Sequence, residues 1–126
     1  MLLVDGNNVI GSVPDGWWRD RPGAVRRLLA RLQCLAATRP EAVHVVFDVP
    51  QSDLPEGEHD GVHVHYATRK GRDAADDRIV ALLDAGVEEP VQVVTSDRAL
   101  AEAVRLRGAD VTGAGALLRD LDRAGC

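Results

Sequence analysis

Aspartates stand where three apolar runs give way to polar sequence. Asp5 follows Met1–Val4, Asp48 closes Val43–Phe47, and Asp97 follows the run Val91–Thr95 within Val-Val-Thr-Ser-Asp. A further acidic group, Asp73-Ala74-Ala75-Asp76-Asp77, opens a helical pattern. In parallel α/β sheets ligands bind beyond the carboxyl ends of the strands, so acids leaving separate strands would meet at one edge. At 100° per residue, Asp73, Asp76 and Asp77 share one side of their helix. The apolar stripe of Ala75, Ile79, Leu82 and Leu83 is centred opposite Asp77, so Asp77 is expected to face water. Asp76 then lies at the border of the stripe and Asp73 at the helix mouth. Such a gathering suits a hard cation, since Mg²⁺ and Mn²⁺ prefer carboxylate and water oxygens. Crowded carboxylates repel one another without a cation. Two metals roughly 3.5–4 Å apart can activate water and stabilise both oxygens of an in-line phosphoryl displacement.

Each acid also has an ordinary use. Asp97 could cap the helix that follows it. Asp73 and Asp76 form a capping-box-like pair at a helix start, where the dipole favours acids. Asp48 could be a turn residue before Pro50. Asp5 is the hardest to dismiss, because it leaves an apolar strand directly and precedes Gly6-Asn7-Asn8.

The elements that must position these acids follow from hydrophobic patterning. Val- and Leu-rich runs at Met1–Asp5, Val43–Asp48, Val62–Ala67, Val91–Thr95 and Ala109–Thr112 predict five strands. Val43–Phe47 and Val91–Val94 are nearly continuous, as expected for strands buried on both faces of a parallel sheet. Val62-His63-Val64-His65-Tyr66 alternates and predicts an edge strand. Helical spacing appears at Val25–Ala36, Ala75–Leu83, Leu100–Val104 and Leu117–Leu121. Strands alternating with helices give an α/β fold with a mainly parallel sheet. The stretch Val49–Gly61, rich in Pro, Gly and acids, predicts an exposed loop.

With 126 residues, the chain fits one domain, 1–126. Aromatic residues make up 3%, so the core must be aliphatic. No apolar run is long enough to span a membrane, and none resembles a leader. Cys34 lies in a helical pattern and Cys126 ends the sequence, so no disulfide is expected; a reducing, cytoplasmic setting fits. The net charge of −5 argues mildly against general coating of nucleic acid but not against metal-assisted chemistry on it. Lys70 is the single lysine beside many arginines, which with the many alanines suits a GC-rich bacterial genome.

Around the acids, Arg69, Lys70 and Arg72 are candidates for gripping phosphates, or else a solvated charge cluster. Trp17 and Trp18, with Arg19 and Arg21, could stack bases, although at least one indole is expected to cover the core edge. Ser96 lacks the Gly-x-Ser-x-Gly setting of a hydrolase nucleophile and is assigned to RNA contact instead. His63 and His65 share a strand face, but no third histidine or cysteine stands at metal-ligand spacing. Dinucleotide and P-loop motifs are absent.

Leu3-Val4-Asp5-Gly6-Asn7-Asn8-Val9-Ile10, Val45-Val46-Phe47-Asp48, Asp73-Ala74-Ala75-Asp76 and Val93-Val94-Thr95-Ser96-Asp97 resemble the NYN domains of the PIN-like nuclease superfamily, the YacP-like branch most of all. The resemblance covers nearly the whole chain. It implies a Rossmann-like, three-layer fold with strand order 3-2-1-4-5. It also implies a metal-dependent endoribonuclease using Mg²⁺ or Mn²⁺, acting on RNA, with the ribosome a candidate partner. By motif, Asp5, Asp76 and Asp97 match metal-binding acids, Asp73 matches an acidic position often held by Glu, and Asn8 matches the polar residue that steadies the site. Asp48 stands as an additional acid. Asn7 departs from the pattern, where an aromatic residue is usual. An RNA- or ribonucleoprotein-binding module with little or no cleavage is the alternative. A receiver-like domain ranks last, because the third strand ends in Tyr66-Ala67-Thr68 without a phosphoacceptor aspartate.

Overall fold

Strands that are apolar on both faces require helices on both sides of the sheet. A computed structural model has that arrangement and describes residues 1–71, 73–86 and 90–126. The strands are β1 (Leu2–Asp5), β2 (Val43–Phe47), β3 (Gly57–His59), β4 (Val62–Tyr66), β5 (Gln92–Val94) and β6 (Asp110–Thr112). They form one sheet in the order β3-β4-β2-β1-β5-β6. All pairs are parallel except β3 with β4. The five expected strands therefore take the expected order, and β3 adds a sixth.

The helices are α1 (Gly6–Gly11), α2 (Arg21–Ala36), α3 (Ala74–Asp84), α4 (Arg98–Arg105) and α5 (Ala114–Arg123), with a 3₁₀ turn at Trp17–Arg19. One sheet face presents Val4, Val43, Val45, Phe47 and Val64 to Leu28, Leu32 and Leu35 of α2 and to Leu117 and Leu121 of α5. The other presents Leu3, Val46 and Val93 to Ile79 of α3 and to Leu100 and Val104 of α4. Each strand thus contributes alternate residues to two aliphatic cores. Among the described residues, no helix is long and apolar enough to cross a membrane.

Two expectations need correction. Val62–Tyr66 is not the sheet edge, since β3 pairs outside it with Glu58 opposite His63. The connecting residues Asp60 and Gly61 both have positive φ, 48° and 90°. That is the geometry for which Asp-Gly hairpins are favoured, so the signal for β3 lay inside the stretch read as a loop. Cys34 and Cys126 form a disulfide, with Cα atoms 5.6 Å apart across 92 residues of sequence. Both α2 and α5 pack against the same core, and Arg31 of α2 donates to the Cys126 carbonyl at 3.0 Å. Distance along the chain had hidden this proximity, and the cysteine argument for a reducing compartment falls with it.

Candidate active site

Strand β1 lies between β2 and β5, with Val4 in register with Val45 and with Val94. The chain leaves all three strands at one edge. Asp5 ends β1 and is only 5% exposed. Its Oδ2 accepts a 2.8 Å hydrogen bond from the Thr95 hydroxyl just beyond β5. The same hydroxyl oxygen accepts from the Asp97 backbone N–H at 3.1 Å. One buried threonine therefore ties the first acid to the segment carrying the third.

Helix α1 starts immediately after Asp5, and Gly6 permits this. A Cβ at Gly6 would stand 2.7 Å from the Phe47 ring and 2.8 Å from the Val46 carbonyl oxygen. The next two residues hold the flanking loops. Asn7 Oδ1 accepts from the Asp48 N–H at 2.9 Å, and Asn8 Oδ1 accepts from the Ser96 N–H at 2.8 Å. The unusual Asn7 is thus a clamp on the loop after β2. Ser96 is itself committed, its Oγ accepting from Ala114 N–H at 3.0 Å at the start of α5.

Asp5, Asp48, Asp73, Asp76 and Asp97 line one groove, together with Asn7, Asn8 and Gly71. Among the described residues that line it, none is a lysine, arginine or histidine. Burial pushes the Asp5 carboxyl up to about 6; the Thr95 hydroxyl pulls it back, the Asp97 charge raises it further, and smaller effects come from the Asn8 backbone and Asp48. Asp76, half-buried at the border of the α3 stripe, is also pushed up to about 6. Burial leads there too, followed by the charges of Asp5, Asp97, Asp73 and Asp77. Segments far apart in sequence therefore feel each other's charge at this edge.

The ordinary uses of these acids are partly present. Asp97 caps α4, accepting from Leu100 N–H at 2.9 Å. Asp73 precedes α3 with φ 63° but makes no side-chain cap hydrogen bond, so the capping-box reading does not hold. Asp77 faces water and pairs with Arg69. Among the described residues, no three His, Cys, Asp or Glu side chains are arranged to hold a metal ion as they stand. The acids share a groove without forming a ready coordination shell.

The flanking candidates are dispersed. Lys70 is exposed, Arg69 is engaged by Asp77, and Arg72 lies outside the described residues. Trp17 packs against the core edge with Arg21 over its ring at 5.4 Å. Trp18 is 56% exposed, with Arg19 over its ring at 5.8 Å. Neither Trp17 nor Arg19 lines the acidic groove. Sequence reasoning missed Thr95, because a hydroxyl that bonds a carboxylate 90 residues away leaves no local signature. It also missed His44, which stacks on His63 and has Nδ1 2.9 Å from Nε2 of His65. Burial and the neighbouring imidazoles push His44 down to about 4.

Residues 2–125 match the YacP-like NYN domain. The chain belongs to that family. This NYN domain is similar in structure to Rae1 (YacP) from Bacillus subtilis, at 28% sequence identity and a TM-score of 0.82, over 99% of this chain and 75% of that one. The W164L mutant of the same protein gives a TM-score of 0.80 at 28% identity, over 98% and 76%. No protein of curated function matches the chain. The donors that the NYN domain gathers at its sheet edge are carboxylate oxygens, the hard ligands that Mg²⁺ and Mn²⁺ favour over softer ones.

Proposed function

We propose that this NYN domain is a metal-dependent endoribonuclease that hydrolyses RNA phosphodiester bonds. The observation that carries the reading is the groove of five aspartates, drawn from four segments of chain and lined by no cationic side chain among the described residues. Carboxylates of one sign repel, and a divalent cation is the natural counter-charge. Asp5, Asp76 and Asp97 would hold it. When bound, Mg²⁺ or Mn²⁺ supplies positive charge to the phosphoryl oxygens and acidifies water.

The chain's own residues set the geometry. Thr95 and the Asn8 backbone hold the Asp5 carboxylate in place at the groove edge. Leu100 N–H occupies Asp97 Oδ1 and leaves the second oxygen. Asn8, its carbonyl oxygen committed to Ser96, keeps its amide nitrogen to donate to a phosphate oxygen. Asp73 and Asp48, both exposed, add negative charge at the mouth that draws in the cation. The resemblance to YacP-like nucleases implies in-line attack by water, leaving 5′-phosphate and 3′-hydroxyl ends.

A second reading is an RNA- or ribonucleoprotein-binding module with little cleavage. It is favoured by the absence, among the described residues, of three donors arranged to share an ion. End-labelled single-stranded RNA incubated with Mn²⁺ or Mg²⁺ separates the two. Cleavage by the wild type, abolished by EDTA and by Asp5→Asn or Asp76→Asn, is the expected result. Retained RNA binding with no cleavage under any metal would overturn it in favour of the binding module.

A further inference from the structure

Of the cations expected beside the site, Arg69 pairs with Asp77, Lys70 is exposed and Arg72 lies outside the described residues. The opposite flank offers others. A second groove, which shares Asp97 with the acidic one, is lined by Ser96, Arg98, Glu102, Arg105 and Gly113. Arg98 and Arg105 are both exposed on α4 and stand seven residues apart, close to two full turns, so they project from one face. Among the described residues, neither pairs with an acid, whereas Arg26, Arg27 and Arg31 of α2 pair with Asp53, Asp15 and Asp122. Uncommitted arginines beside an acidic groove are notable on a chain of net charge −5.

We propose that Arg98 and Arg105 form a phosphate track that receives the RNA strand as it leaves the acidic groove across Asp97. The inference rests on the nuclease reading and names the path of its substrate. Seven residues of helix set their Cα atoms roughly 10 Å apart, so each arginine can take a phosphate of its own. They suit successive groups of a polyanion rather than a mononucleotide. The wall between the two grooves is fixed: Asn8 holds Ser96, Ser96 receives the Ala114 N–H, and Asp97 caps α4. The track therefore keeps a set position relative to the acids. Glu102, one turn from each arginine, lines the same groove and opposes the strand. An acidic peptide could also meet the arginines, but the nuclease site proposed beyond Asp97 acts on phosphodiesters.

The test uses the full chain and a short fluorescent single-stranded RNA, in Mg²⁺ on an Asp5→Asn background, read by anisotropy over a salt series. The double variant Arg98→Gln/Arg105→Gln is expected to lose about ten-fold or more in affinity. Its slope of log Kd against log salt should fall by about 1.4, two single-strand phosphate contacts at about 0.7 each. Glu102→Gln is expected to bind more tightly. Mn²⁺ titration of Arg98→Gln/Arg105→Gln made with Asp5 intact should match the wild type, which a general structural defect would not allow. If the wild type cleaves RNA while the double variant binds it with unchanged affinity and slope, the track is wrong and the nuclease reading stands. If the arginine pair governs RNA binding but the wild type never cleaves, the nuclease reading fails and the track stands. Binding of a poly-glutamate peptide that RNA does not displace would overturn the track.

Discussion

A carboxylate buried among other carboxylates lowers the stability of the fold in order to hold charge where it is needed. Asp5 is the sharpest case. Its folded value of about 6, against an ordinary 3.8, means that the folded chain binds the proton more tightly than the unfolded one. The stabilisation from that proton is full below pH 3.8 and lost as pH rises through 6, so the ionised group costs about 2–3 kcal/mol at pH 7. Asp5→Asn keeps an oxygen for the Thr95 hydroxyl and removes the charge. Thermal denaturation in EDTA should therefore show the variant melting higher than wild type at pH 7.5, with the gap closing by pH 4. Mn²⁺ should raise the wild-type melting temperature and leave the variant nearly unmoved. A variant that melts lower at pH 7.5 would mean that Asp5 is a stabilising structural acid. The acids themselves were legible, because strand ends and helix starts are local features. Their partners were not: Thr95 and the two clamps of Asn7 and Asn8 join segments 41 to 90 residues apart.

Among the elements, those carried by an apolar run or stripe were legible, and α1 and β3 were not. Strands β1, β2, β4, β5 and β6 all fall within a residue or so of the apolar runs, and α2 through α5 follow their stripes. Helix α1 escaped notice because Gly6-Asn7-Asn8 are poor helix formers. Tertiary contacts build it instead, since the two asparagines bind neighbouring loops and Val9 and Ile10 are buried. β3 was hidden in a segment that reads as loop by composition, although Asp60-Gly61 marked its turn. The close approach of α1 to β2 gives a test at this scale. Gly6→Ala would push a methyl into Phe47 and the Val46 carbonyl at under 3 Å. The backbone must shift, with a loss of about 1–3 kcal/mol of stability. Because Asp5 and Asn7 flank the glycine, the same change should weaken Mn²⁺ binding. Urea denaturation and a Mn²⁺ titration of the variant check both; unchanged stability would mean that α1 has room to lift off β2.

At the scale of the whole molecule, the Cys34–Cys126 bond closes most of the chain into a loop of 92 residues. It binds α2 to the end of α5, beside the Arg31 contacts to Asp122 at 2.7 Å and to the Cys126 carbonyl. Closing a loop of that length restricts the unfolded chain, and the chain-entropy account assigns such a bond roughly 4.6 kcal/mol. A protein of this size should then melt roughly 15 °C lower once the bond is reduced. Cys34→Ser/Cys126→Ser should show the same drop and no further response to reductant. The acidic groove lies at the carboxyl edge of the sheet and none of its lining residues belongs to α2 or α5. Mn²⁺ affinity should therefore persist in the reduced protein at temperatures well below its melting point. Thiol titration of the unreduced protein under denaturant should find no free thiol. Two free thiols, with a melting temperature indifferent to reductant, would mean that the bond does not form in solution. The cysteine pattern would then again fit a reducing cytoplasm, where such a bond is not maintained.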